Sequence, residues 1–432
     1  MTRDEDSGGT GGGTGGGTGG GTGGGTGGGT GGGTGGGTGG GTGGGTGGGT
    51  GGGTGGGTGG GTGGGTGGGT TGGYGAVQPG VDGWKGLLAE GLNSPEAAAK
   101  AFGLDPAAAA RAARTMPVRI NSYYASLIRS ADDPLGRQVF PSAEEDSDPG
   151  GTIDPLNEAG ESPVPHLVHR YPDRVLMLVT YQCTVYCRFC TRKRAVGVAA
   201  APTDEEIQAA VEYVRRTPAI RDVIVSGGDP LVLPDERLAR ILGWVRSVPH
   251  VEIVRVDTRA PCSLPQRVTP ALCRTLAGFH PLFVNTQFNH PREVTPEARE
   301  ACERLVDHGI PVGNQTVLLK GVNDDPAVMK ELVEKLIRIR VKPYYLYQCD
   351  PVAGTAHFRT PVKTGLSIMA ALRGRTSGMA IPTFVIDTPG GGGKVPLVPD
   401  AVVEMRPDRV VLRNHEGREF TYMDSVEALP VK

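Results

Sequence analysis

Three cysteines, Cys183, Cys187 and Cys190, stand in a CxxxCxxC spacing within the stretch Cys183-Thr184-Val185-Tyr186-Cys187-Arg188-Phe189-Cys190. The apolar run Arg174-Val175-Leu176-Met177-Leu178-Val179-Thr180 precedes them. So short and apolar a run reads as a buried strand, which puts the thiols on the loop leaving its C-terminal end. Three soft thiolates on one tight loop can hold three irons of a cubane iron–sulfur cluster. The fourth iron is then open to an outside molecule. Structural zinc normally takes four protein ligands, and this loop offers no fourth. The spacing favours ligation over cysteines that merely pack.

A second stretch of unusual chemistry is Asp387-Thr388-Pro389-Gly390-Gly391-Gly392-Gly393-Lys394. Its glycines let the backbone approach another group closely and present the lysine beyond it. A nucleotide-binding P-loop needs Gly-Lys followed by Ser or Thr and opening a helix, whereas Val395-Pro396 follows here. A partly desolvated lysine loses some proton affinity and can form a Schiff base with an aldehyde. On spacing alone, an ordinary surface lysine on a glycine turn remains the better reading.

The elements that must position these groups alternate from Arg174 onward. A helix is expected from Thr203, capped by Glu206, then strand Val223-Ile224-Val225 ending in Ser226-Gly227-Gly228-Asp229. Further helices are expected near Asp235, Thr269-Pro270, Thr295-Pro296 and Asp325-Pro326. Strands are expected at 251–256, 282–284, 312–319 and 343–347. Counting the strand before the cysteines, that is six strands linked by helices. Such alternation demands parallel strands with right-handed crossovers, hence an α/β fold that is either an open sheet or a partial (β/α)6 TIM-type barrel. Chemistry in such barrels sits where strands end, and the cysteine loop, the Gly-Gly-Asp turn, Asp350 and Asp387 all fall at such ends. A helix at 364–373, a strand at 383–386 and a small C-terminal β hairpin around Val402, Val410 and Phe420 complete the reading. Residues 74–165 read as a helical arm or cap with no catalytic spacing, its helices starting at Ser94-Pro95 and Asp105-Pro106.

From Gly8 to Thr70 the chain is glycine with threonine at every fourth position. It has almost no apolar surface to bury and maximal backbone entropy to lose, so a disordered tail is expected over 1–73. The period excludes collagen. The expected divisions are thus 1–73, 74–165, a barrel over 166–362 and a C-terminal lysine-bearing segment over 363–432. A net charge of −2 gives no reason to expect nucleic acid or an anionic membrane as partner. There is no run of 18 apolar residues and no signal-like N-terminus. Seven cysteines, an odd count, suit reduced thiols in a cytoplasmic protein. Cys262, Cys273, Cys302 and Cys349 read as small buried residues.

The CxxxCxxC spacing, with an aromatic before the third Cys, resembles the radical S-adenosylmethionine (SAM) enzymes. From about Trp84 to Tyr422 the chain resembles the lysine 2,3-aminomutase family. The resemblance is carried by His169-Arg170-Tyr171-Pro172-Asp173-Arg174, the cysteine loop, Ser226-Gly227-Gly228-Asp229 and Pro265-Gln266-Arg267. It continues in Phe288-Asn289-His290-Pro291, Gly313-Asn314-Gln315, Tyr344-Tyr345-Leu346-Tyr347-Gln348-Cys349-Asp350 and the glycine-lysine loop.

The resemblance implies a [4Fe–4S] cluster on Cys183, Cys187 and Cys190, with SAM on its open iron. It implies SAM contacts at Phe189, Gly227, Gly228, Asp229 and Gln315. Lys394 would hold pyridoxal 5′-phosphate (PLP) covalently, and Arg170 and Arg174 would hold its phosphate. Arg192 would grip the substrate carboxylate, and Asp350 and Asp387 the distal ammonium of L-lysine. Two acids argue against glutamate as substrate. The implied reaction is the 2,3-amino migration from L-lysine to β-lysine through a 5′-deoxyadenosyl radical, with an external one-electron reductant of flavodoxin or ferredoxin type and a homo-oligomeric assembly. Arginine is the alternative substrate. A lysine-modifying mutase of elongation factor P and an inactive cluster-binding homologue rank lower. Two departures stand out. Asp325 occupies a position where a relative has a zinc-ligating cysteine, and the Cys-rich C-terminal segment is missing, so zinc is not expected. Gln287 stands where that relative has a histidine.

Overall fold

The computed structural model describes residues 83–148 and 150–424. The tail expected over 1–73 lies outside the described residues. Five short helices come first: α1 (Gly83–Ala89), α2 (Pro95–Phe102), α3 (Pro106–Ala112), α4 (Ser122–Leu127) and α5 (Pro134–Arg137). The expected starts hold for a local reason. Ser94 accepts the Ala97 amide at 3.1 Å and Asp105 the Ala107 amide at 2.9 Å, each followed by a proline that has no N–H to satisfy.

A nine-stranded sheet follows, its strands hydrogen-bonded in chain order. Strand β1 (Leu167–Tyr171) runs antiparallel to β2 (Arg174–Thr180). After β2 come α6 (Asp204–Arg215), β3 (Asp222–Gly227), α7 (Asp235–Arg246), β4 (Ile253–Asp257) and the short α8 (Ala260–Ser263). The chain continues through α9 (Pro270–Ala277), β5 (Leu282–Thr286), α10 (Pro296–Asp307), β6 (Val312–Leu318), α11 (Pro326–Arg338) and β7 (Lys342–Gln348). Helix α12 (Val362–Leu372) crosses to β8 (Thr383–Thr388), and β9 (Gly393–Pro396) returns antiparallel to it.

Strands β2 to β8 are all parallel, forming a partial barrel. The expected six strands are β2–β7, and β8 adds a seventh. The sheet therefore does not stop at residue 362, because Tyr345, Leu346 and Tyr347 pair with Thr383, Phe384 and Val385. Helix–sheet burial drives the assembly: Ile207, Ala210, Val211 and Val214 of α6 are buried, as are Val223 and Val225 of β3. The capping box of Thr203 and Glu206 is present as expected. The C-terminal piece is a three-stranded antiparallel sheet of β10 (Val402–Arg406), β11 (Arg409–Arg413) and β12 (Glu419–Met423), which contain the expected strand positions Val402, Val410 and Phe420. Among the described residues no helix is long and apolar enough to cross a membrane.

Candidate active site

The cysteine loop leaves β2 at Thr180 and is held by the N-terminal arm rather than by itself. Asn121 donates to the Thr184 carbonyl at 2.9 Å, and the Tyr186 and Arg188 amides donate to Arg119 and Gln138 carbonyls. Arg188, fully buried, forms a bidentate pair with Glu145 at 2.8 and 2.7 Å and also donates to Met116 and Ala112 carbonyls. Burial pushes all three thiols up, Cys190 to about 11, with the neighbouring sulfur of Cys187 adding to it. Such a set of thiols resists ionising without a cation, and bound iron supplies one; the donor set fits a cluster.

The turn after β3 presses on that loop. A Cβ on Gly227, whose φ is +124°, would lie 2.3 Å from the Thr180 carbonyl, and one on Gly228 2.3 Å from the Gln182 carbonyl. Glycine is required there first for the approach of two backbones. The Asp229 carboxylate accepts from the Leu231 amide (3.0 Å), the Thr258 hydroxyl (2.6 Å) and the Arg259 amide (2.9 Å). Its oxygens thus tie the β3 and β4 loops together. Phe189 packs edge-on to Phe358, ring centroids 6.0 Å apart. Gln315 stands on β6.

Lys394 owes its place to cross-strand register. In the β8–β9 pair Asp387 is directly opposite Lys394, and the ammonium lies 3.2 Å from the carboxylate. The Tyr171 hydroxyl accepts from the Lys394 amide at 2.8 Å, and the Lys394 ammonium lies 5.6 Å from the Tyr347 ring centroid. Arg170 on β1 pairs with Glu161 at 2.6 Å and donates to the Leu156 carbonyl. Arg174 stacks on Tyr171 at 4.3 Å and is 3.6 Å from Asp173. Asp350 follows β7; burial, and then the charge of Asp387, push its carboxyl up to about 7. Arg192 meets Glu158 edge-on, at 3.1 and 2.6 Å, and donates to the Gly227 carbonyl at 3.2 Å.

One cavity of about 450 Å³ joins these groups. Cys183, Cys187, Cys190, Phe189, Arg192, Gly227, Gly228, Asp229, Gln315, Asp350, Asp387, Lys394, Arg170 and Arg174 all line it. Its lining runs from the cysteine loop, past the C-terminal end of β2, to Arg174 at that strand's start. The arginines therefore extend the site beyond the strand ends, where sequence patterning had centred it.

Other residues of this cavity were not singled out by sequence: Glu158, Asp257, Arg259, Thr286 and Tyr171. Asp257 ends β4 as the other site groups end their strands, so topology could have flagged it. Burial pushes its carboxyl up, although Arg255 and Asn285 favour the anion. Glu158 has no such signal. It lies in the irregular connection before β1, inside the arm that spacing had read as chemically bland. Among the described residues, Thr286 Oγ1 and Arg259 Nε, both in this cavity, are buried without a protein partner. Gln287 lines the cavity, whereas Asp325 is spent as the cap of α11, accepting from Ala327 at 2.7 Å.

Family models match the chain twice: "Radical SAM superfamily" over residues 177–333 and "Lysine-2,3-aminomutase" over 369–431. An L-lysine 2,3-aminomutase of Fusobacterium nucleatum is 52% identical over 322 residues, covering 73% of this chain and 75% of that protein. One of Clostridium subterminale is 50% identical over 326 residues, 74% and 78% of the two chains. A glutamate 2,3-aminomutase of Clostridioides difficile is 45% identical over 316 residues, 72% and 75% of the two. A solved radical SAM methyltransferase from Sphaerobacter thermophilus aligns with TM-score 0.39 at 21% identity, over 51% of this chain and 68% of that one. Identity near one half, sustained over about three quarters of both chains, carries the conclusion: the chain belongs to the lysine 2,3-aminomutase family of radical SAM enzymes, isomerases whose family chemistry implies a [4Fe–4S] cluster and SAM.

Proposed function

We propose that the enzyme interconverts L-lysine and β-lysine, with PLP held by Lys394. One observation carries the reading: three cluster thiols, a lysine on a glycine turn and two acids for a distal cation line a single cavity. When bound, the cluster and SAM supply a carbon radical that removes hydrogen, and PLP supplies an imine that spreads unpaired spin.

The chain's own residues then orient and discriminate. Arg192 uses three of its five N–H groups on Glu158 and Gly227, leaving one on each terminal nitrogen for a substrate carboxylate. Asp350 and Asp387 receive the distal ammonium. Two carboxylates crowded in a buried site make a poor home for an anionic side chain, so a glutamate substrate is disfavoured. Arg170 and Arg174 are the donors for the PLP phosphate, Arg170 being held ready by Glu161. Phe189, Gly227, Gly228, Asp229 and Gln315 form the SAM side, with Asp229 acting by fixing the loops rather than through a free carboxylate. The cluster, once held by Cys183, Cys187 and Cys190, would need an external one-electron donor of flavodoxin or ferredoxin type.

The test is anaerobic reconstitution with iron, sulfide, SAM, PLP and dithionite, followed by product analysis with L-lysine and L-arginine in parallel. β-Lysine from lysine is expected. Turnover of arginine alone would replace the substrate, and Lys394→Ala should lose the PLP absorbance band while keeping its iron.

A further inference from the structure

Arg259 lies outside the proposed substrate, SAM and PLP contacts, yet it touches one of the cluster cysteines directly. It follows β4 on the loop that opens α8 and is 94% buried. Its Nη1 lies 2.6 Å from the Cys187 sulfur. Its Nη2 donates to Gln138 Oε1 at 2.6 Å and Glu293 Oε1 at 2.8 Å, with the Tyr124 hydroxyl 3.3 Å away. Its backbone amide is fixed by Asp229 at 2.9 Å. Glu293 is itself buried and held by Tyr124 and by the Asn289 and His290 amides. The guanidinium is thus aimed, not mobile. Among the described residues its Nε has no protein partner.

We propose that Arg259 sets the reduction potential of the iron–sulfur cluster by donating from Nη1 to the Cys187 thiolate. The step concerned is the one-electron reduction of [4Fe–4S]²⁺ to [4Fe–4S]⁺, the electron coming from an external low-potential donor. The added negative charge spreads over iron and sulfur. A cationic N–H donor on one ligand sulfur stabilises the reduced form more than the oxidised form, and burial strengthens the effect. Glu293 opposes it by partly neutralising the guanidinium, so the pair acts as a fixed bias of limited size. This inference needs the cluster alone and is independent of whether Lys394 holds PLP.

The experiment is a dithionite potentiometric titration of the reconstituted full chain, followed by the electron paramagnetic resonance signal of the reduced cluster, with iron counted in each variant. Arg259→Gln should move the potential to more negative values at unchanged iron content, and Arg259→Lys should move it less. Glu293→Gln should move it the other way, since the guanidinium charge is then less compensated. Opposite signs cannot come from general loosening of the loop. An unchanged potential in an iron-replete Arg259→Gln protein overturns the proposal, as does Glu293→Gln shifting in the same direction as Arg259→Gln. If Arg259→Gln fails to take up iron, Arg259→Lys and Glu293→Gln decide by the same criteria.

Discussion

At the scale of single residues, the acid pair is the most informative feature. Asp350 is raised to about 7 by burial and by the charge of Asp387, so it changes charge within the physiological range. A cationic side chain binds the ionised form, hence kcat/KM for L-lysine should rise as pH climbs through about 7. A flat profile from pH 6 to 8 would remove Asp350 from substrate binding. The linkage for the free protein has the opposite sense. The folded carboxyl holds its proton more tightly than the unfolded one, so its contribution to stability is complete below pH 4 and is lost as pH rises through 7. Asp350→Asn should therefore raise the melting temperature of the substrate-free protein at pH 8. It should also weaken lysine use by roughly tenfold to a hundredfold, the scale of a lost charge-assisted hydrogen bond.

Element by element, the cysteine loop is positioned by an arm more than by its thiols. Arg188 and Glu145 form a pair whose side chains are each 1% exposed, and Lys193 joins it at 2.9 Å. Breaking such a pair leaves an uncompensated buried charge, so Glu145→Ala should cost about 3–5 kcal/mol, read as a fall in denaturation midpoint. Conversely, stripping iron with a chelator should leave far-ultraviolet circular dichroism nearly unchanged, because the loop keeps its hydrogen bonds to Arg119, Asn121 and Gln138. Collapse of the spectrum would show the cluster to be the main brace. Helix α12 gives a packing test. A Cβ on Gly365 would lie 2.2 Å from the Phe384 ring of β8, the strand that carries Asp387. Gly365→Ala should cost about 1–3 kcal/mol through overpacking.

Across the whole molecule, the partial barrel is bridged where its two antiparallel edge strands meet. Tyr171 of β1 accepts from the Lys394 amide of β9, and the Gly390 amide donates to the Pro155 carbonyl at 2.9 Å. A Cβ on Gly393 would come within 2.9 Å of the Tyr171 hydroxyl, so glycine permits this closure. Lys394 therefore sits on the seam, where sheet closure fixes its height against the cluster end. Tyr171→Phe removes one hydrogen bond, worth about 1 kcal/mol, and keeps the ring under Arg174. We expect a small drop in melting temperature with a larger loss of PLP affinity, measured by absorbance titration, and no change in iron content.

Much of this was legible in residue order. Strand and helix periodicity depends on local burial patterns, so β2–β7 and their helices could be read directly, and thiol spacing within one loop is likewise a local property. Resemblance added Arg170, Arg174 and Arg192, and it implied roles for Asp350, Asp387 and Lys394, which strand-end position and the glycine turn had only marked. Tertiary structure decided the rest. It made β8 a continuation of the barrel, because pairing to β7 depends on hydrogen bonds between strands distant in sequence. It brought Glu158 to Arg192, 34 positions on, and Arg259 to Cys187, 72 positions back. Contacts of that separation follow from how the sheet curves and closes, and no short stretch of sequence encodes them.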